Sequence, residues 1–86
     1  MENHAHDMHI INIVTRNSLR VLQRISGLFS RYGVNIDQMS IFSGQDALSY
    51  FSVIVYSDDH SIQKLTNQLN KIVEVCEVRV ANQKHF

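Results

Sequence analysis

The sequence predicts an α+β domain of the split β-α-β, ferredoxin-like class, a four-stranded antiparallel sheet with two helices on one face in the order βαββαβ. Two observations carry this. Apolar residues recur at i, i+3, i+7 and i+10 in two stretches, Leu22-Ile25-Phe29-Tyr32 and Ile62-Leu65-Leu69-Ile72. Each stretch is flanked by short runs rich in β-branched and aromatic residues, the composition of strands. Length supplies a third: 86 residues make one domain. A chain of that size buries only about 60–65% of its unfolded surface, so it gains from a partner.

Residues 1–8 are polar and His-rich and read as a flexible N-terminal arm. The first strand is expected over 9–16, where Ile10, Ile11, Ile13 and Val14 crowd together. Arg16-Asn17-Ser18 then offers turn and N-cap chemistry, since Asn and Ser oxygens accept from the free N–H groups of a first helical turn. The first helix, widened on its apolar side by Val21 and Leu28, ends at Gly33, a left-handed C′ residue in expectation, with Arg31 in the last turn. A second strand (34–42) and a third (48–56) form a hairpin around Ser43-Gly44-Gln45-Asp46. Ser57-Asp58-Asp59 caps the second helix and places acids at its positive end. The last strand, about 74–80, shows Cys76, Val78 and Val80 on one parity and Val73 and Val75 on the other, so a bulge or boundary falls near Val75. Residues 9–81 thus form the domain and 82–86 a tail.

Composition excludes several classes of function. Eight Lys+Arg balance eight Asp+Glu, unlike the basic surface of a phosphate-neutralising nucleic-acid binder. Tyr50-Phe51 on the third strand has the place of a base-stacking pair in RNA-recognition modules. The surrounding octapeptide, however, lacks the basic residue and Gly, and adjacent strand residues point to opposite faces. No apolar run reaches the length of a membrane span, and no secretory signal is visible. The lone Cys76 forms no internal disulfide and, among valines, is expected to be a buried small hydrophobe rather than a nucleophile. The expected setting is cytoplasmic. His4, His6 and His9 beside Asp7 have a metal-binding composition but no scaffold, so no metal site is expected. No nucleophile–base pair is found either, since Asp58 and Asp59 read as caps. A non-catalytic module is the expectation.

Charge is segregated along the chain. Arg16, Arg20, Arg24 and Arg31 lie in 8–36 without an acid, and Asp37, Asp46, Asp58 and Asp59 lie in 37–63 ahead of any later base. Arg20, Arg24 and Arg31 share one helical face alongside Gln23 and Gly27. That face is either plainly solvated or a docking surface for an acidic partner, for which Arg suits bidentate pairing.

Val14-Thr15-Arg16-Asn17, Val21-Leu22, and Gly27-Leu28-Phe29-Ser30-Arg31-Tyr32-Gly33-Val34-Asn35-Ile36 resemble an ACT domain. More narrowly, they resemble the small regulatory subunit of acetohydroxyacid (acetolactate) synthase. Gln68-Leu69-Asn70-Lys71-Ile72-Val73-Glu74-Val75 with Val78 is similar to that family's second-helix ending, so the resemblance covers about 9–80.

The resemblance implies a non-catalytic subunit of branched-chain amino-acid biosynthesis that binds and activates a catalytic subunit. It places thiamine diphosphate, Mg and FAD on that catalytic subunit and none on this chain. It also implies a homodimer by side-by-side sheet pairing, with a small amino-acid effector held at the pair interface against the turn after the first strand. The matching effector positions are Asn17, Ser18, Arg20, Leu22 and Asn35. The family usually has Gly at position 20, often after Pro, so that backbone approaches ligand closely. Arg20 here predicts weak or absent valine feedback, and the absence of a second domain is similar to valine-insensitive isozymes. The alternative reading is a stand-alone ACT amino-acid sensor that regulates another protein.

Overall fold

Six elements follow one another along the chain: β1 (Asp7–Arg16), α1 (Ser18–Arg31), β2 (Ile36–Ser43), β3 (Leu48–Ser57), α2 (Asp59–Leu69) and β4 (Val75–Gln83). The computed structural model describes residues 7–16 and 18–83. The strands form one antiparallel sheet in the order β2-β3-β1-β4, so the outer strands β2 and β4 flank a central β3-β1 pair. This is the predicted βαββαβ architecture.

Alternation decides which side chains enter the core. His9, Ile11, Ile13 and Thr15 of β1 and Phe51, Val53 and Val55 of β3 are buried under the helices. Val21, Ile25 and Phe29 of α1 meet them, as do Ile62, Leu65 and Leu69 of α2. The adjacent residues Tyr50 and Phe51 do separate: Phe51 is buried and Tyr50 exposed on the uncovered face, with Phe42 and Tyr56.

The helix ends follow the expected chemistry. Gly33 has φ +70°. Its N–H donates to the Ser30 carbonyl at 3.1 Å, and the Val34 N–H to the Phe29 carbonyl at 2.8 Å. That pair of bonds is the Schellman closure. Asp58 caps α2, accepting from the Ser61 N–H at 3.1 Å. The helix stops at Leu69, and Ile72 completes the apolar stripe from the turn that follows.

Three boundaries differ from expectation by two residues or more. β1 begins at Asp7, because Asp7 and Met8 pair with Ser57 and Tyr56 of β3. β4 runs on to Gln83, because Asn82 and Gln83 pair with His9 and Met8. The rest of the expected arm, residues 1–6, and residues 84–86 lie outside the described residues. β2 starts at Ile36 rather than 34, since Val34 is used in closing α1.

The irregularity expected near Val75 is a bulge. Thr15 pairs with Val75 and Val14 with Glu77, so Cys76 is the extra residue. The insertion restores Val78 and Val80 to the parity of Ile13 and Ile11 and leaves Cys76 exposed. The expected buried thiol is therefore corrected, because a bulge changes the parity from which burial was read.

Candidate functional site

The site residues expected from sequence lie at two places. The first is the turn between β1 and α1. Asn17 falls outside the described residues, as does the side chain of Ser18, which opens α1. Arg20 stands exposed in the first turn of α1, and Leu22 packs against the core behind it. Beneath, the Thr15 hydroxyl is buried without a hydrogen-bond partner among the described residues. A buried polar atom left so is costly and marks a place for scrutiny. Residue pattern alone had not singled it out, because Thr is an ordinary strand residue.

Asn35 is elsewhere. Ile36, next to it, pairs with Val55 of β3, whereas Arg16 at the turn pairs with Leu48. Seven residue steps along β3 at about 3.3 Å each separate those levels by about 23 Å. Within one chain, Asn35 and the β1–α1 turn are at opposite ends of the sheet.

The strand that leads from Asn35 is an edge. Among the described residues β2 has a neighbour only on its β3 side, and it is poorly covered: Ile36 and Ile41, on the helix-facing parity, are 36% and 46% exposed. An unpaired edge bearing exposed apolar side chains is a template for another strand.

The second place is the outer face of α1. Arg20, Arg24 and Arg31 are all exposed, as a row at i, i+4 and i+11 requires. Arg24 reaches Glu74, in the turn before β4, with Nη1 3.3 Å from Oε1. Beside this row a shallow groove of about 440 Å³ runs between α1 and the end of α2. Arg24, Gly27, Leu28 and Arg31 line one wall, and Gln68, Lys71 and Ile72 the other. Sequence reasoning missed Lys71 and Gln68, which are 40 residues and more from Arg24 and share no periodicity with it.

His9 lies in β1, as expected. Its ring is buried at the start of β1, with Nδ1 3.1 Å from the Asp7 carbonyl oxygen and Nε2 3.1 Å from Asp59 Oδ1. Asn82 Nδ2 lies 2.7 Å from the same Nε2. These contacts set β1 against the start of α2 and against β4, and Nε2 either donates to Asp59 Oδ1 or accepts from Asn82 Nδ2, not both at once. Among the described residues no group of three or more His, Cys, Asp or Glu side chains is placed to hold a metal ion. No described helix is long and apolar enough to cross a membrane.

Comparison with known proteins places this geometry. Residues 11–77 match the family described as the AHAS small subunit-like ACT domain. A probable acetolactate synthase small subunit of Methanothermobacter thermautotrophicus is 35% identical over 74 residues, covering 85% of this chain and 44% of that protein. The crystal structure of the acetolactate synthase small subunit from Thermotoga maritima superposes with a TM-score of 0.75 at 28% identity, over 85% of this chain and 46% of that one. The ACT domain from the GTP pyrophosphokinase of Chlorobium tepidum superposes at 0.76 and 18% identity, over 88% of this chain and 99% of that one, a likeness of fold alone. This chain spans half or less of the length of the small subunits it matches.

Proposed function

The chain belongs to the AHAS small subunit-like ACT domain family, and from that premise we propose that it is a non-catalytic module that docks on and regulates the catalytic subunit of acetolactate synthase. The observation that carries this reading is the family match across 11–77, on a domain whose distinctive features are surfaces for contact. In this reading thiamine diphosphate, Mg and FAD belong to the catalytic subunit, and the assembly works in the cytoplasm.

The module acts as a homodimer joined along β2. Two β2 edges running antiparallel across a two-fold axis would extend the sheet from four strands to eight and cover Ile36 and Ile41. The same operation carries Asn35 of the second copy to the end of the sheet where the first copy holds its β1–α1 turn. An effector site of Asn17, Ser18, Arg20 and Leu22 from one copy and Asn35 from the other thus needs the dimer. At that site the free N–H groups opening α1 suit a carboxylate, and the Asn35 amide oxygen suits an ammonium group. The Arg20 side chain crowds the space a small amino acid would take, so valine binding is weak or absent. Arg20, Arg24 and Arg31 form the face that meets the catalytic subunit.

Mixing the chain with its cognate catalytic subunit tests this directly. The expected result is co-elution and a rise in acetolactate formation; separate elution with unchanged turnover would sink it. Calorimetry with valine should show little heat for the wild-type chain and binding for Arg20→Gly. Tight valine binding by the wild type without any effect on the synthase would favour the stand-alone sensor.

A further inference from the structure

We propose that the groove between α1 and the end of α2 receives an acidic, partly apolar segment of the catalytic subunit, whose main chain lies against Gly27. This deepens the docking reading above and rests on it.

The first observation is the chemistry of the groove. Leu28 and Ile72 give its two walls apolar surface, and Arg24, Arg31 and Lys71 line it with positive charge. Glu74 offsets part of that charge through Arg24. Arg31 and Lys71 make no ion pair among the described residues. The chain as a whole is neutral, so this field is local and matches a local run of carboxylates. Arg adds bidentate geometry for carboxylates.

The second observation is Gly27. It lies in the interior of α1, where glycine is disfavoured relative to alanine because the backbone loses more freedom on ordering. No contact among the described residues asks for it. A Cβ added at Gly27 meets no atom within 4 Å beyond its chain neighbours and the adjoining helix backbone, and its φ is not positive. The other two glycines have internal reasons: Gly33 sits at φ +70°, and a Cβ at Gly44 would collide with the Tyr50 ring. Gly27 alone leaves bare backbone facing open space, at the wall of a charged groove. Close approach by the backbone of another molecule accounts for both the missing side chain and the vacant volume. Its carboxylates would meet Arg31 and Lys71, and an apolar side chain would rest on Leu28 and Ile72.

The test measures stability and affinity on the same variants. Gly27→Ala should raise the unfolding midpoint of the full chain by about 4–8 °C and weaken binding to the cognate catalytic subunit by about tenfold or more. Arg31→Glu combined with Lys71→Glu should weaken it by about a hundredfold, and added salt should weaken the wild type. Arg79→Glu on β4 should leave affinity unchanged. Wild-type affinity retained by Gly27→Ala and by the double reversal overturns the groove while leaving the docking reading intact. A wild-type chain that neither binds nor activates the catalytic subunit fails at the earlier step and removes both. Loss of self-association in Gly27→Ala, with catalytic-subunit binding unchanged, would assign the groove to a second copy and overturn the proposal.

Discussion

α1 and α2 hold equivalent places in the two β-α-β halves, yet they are finished in opposite ways. At the start of α2 two acids are employed within the chain: Asp58 caps the helix, and Asp59 in its first turn reaches His9 of β1. α1 has no acid in its first turn. It carries Arg20 there instead, where the positive end of the helix disfavours a cation, and it keeps a glycine in its interior. Both helices contribute three or more buried apolar residues to one core, so the repeat is symmetrical inward. Outward it is not. A shared core constrains the buried stripe of each helix and leaves the exposed side of α1 available for contact with another molecule.

The inward symmetry can be broken most strongly at Phe29 and Leu65, both buried against the sheet. Phe29→Ala should cost about 3–5 kcal/mol and Leu65→Ala about 2–5 kcal/mol, large fractions of the about 5–15 kcal/mol typical of a domain. Urea unfolding should show one cooperative transition moved by both. A variant that loosened only its own half, giving two transitions, would refute the single core. The outward difference is sharpened by smaller changes at the helix starts. Asp58→Ala should cost about 1 kcal/mol, because the Ser61 N–H loses its acceptor. Arg20→Ala should be neutral or stabilising by a few tenths of a kcal/mol, since it removes an exposed cation from the positive helix end. Equal destabilisation by these two substitutions, measured in the same denaturant series, would erase the contrast.

Much of this was open to reading in advance, and what escaped has physical causes. The 3.6-residue spacing of Leu22, Ile25 and Phe29 and the alternation around Phe51 and Val53 are local signals, and so are a cap at Asp58 and a left-handed stop at Gly33. A pattern of this kind records which face of an element is apolar. It does not record how far a strand is paired, which is why β1 and β4 each ran longer than their apolar residues suggested. Cys76 differs because the parity shift among the valines marks an irregularity near Val75 without saying which residue a bulge leaves unpaired.

The sequence by itself determined the order of the six elements, the inward faces of the two helices and the row of arginines on α1, because each depends on spacing within a few turns or strand residues. Only the tertiary structure decided that Lys71 and Ile72 join Arg24 and Arg31 in one groove, that Gly27 faces empty space there, and that Asn35 lies a sheet's length from the β1–α1 turn. Those relations depend on how separate segments are laid side by side, and that packing is set by the buried core as a whole, through contacts between residues far apart in the chain.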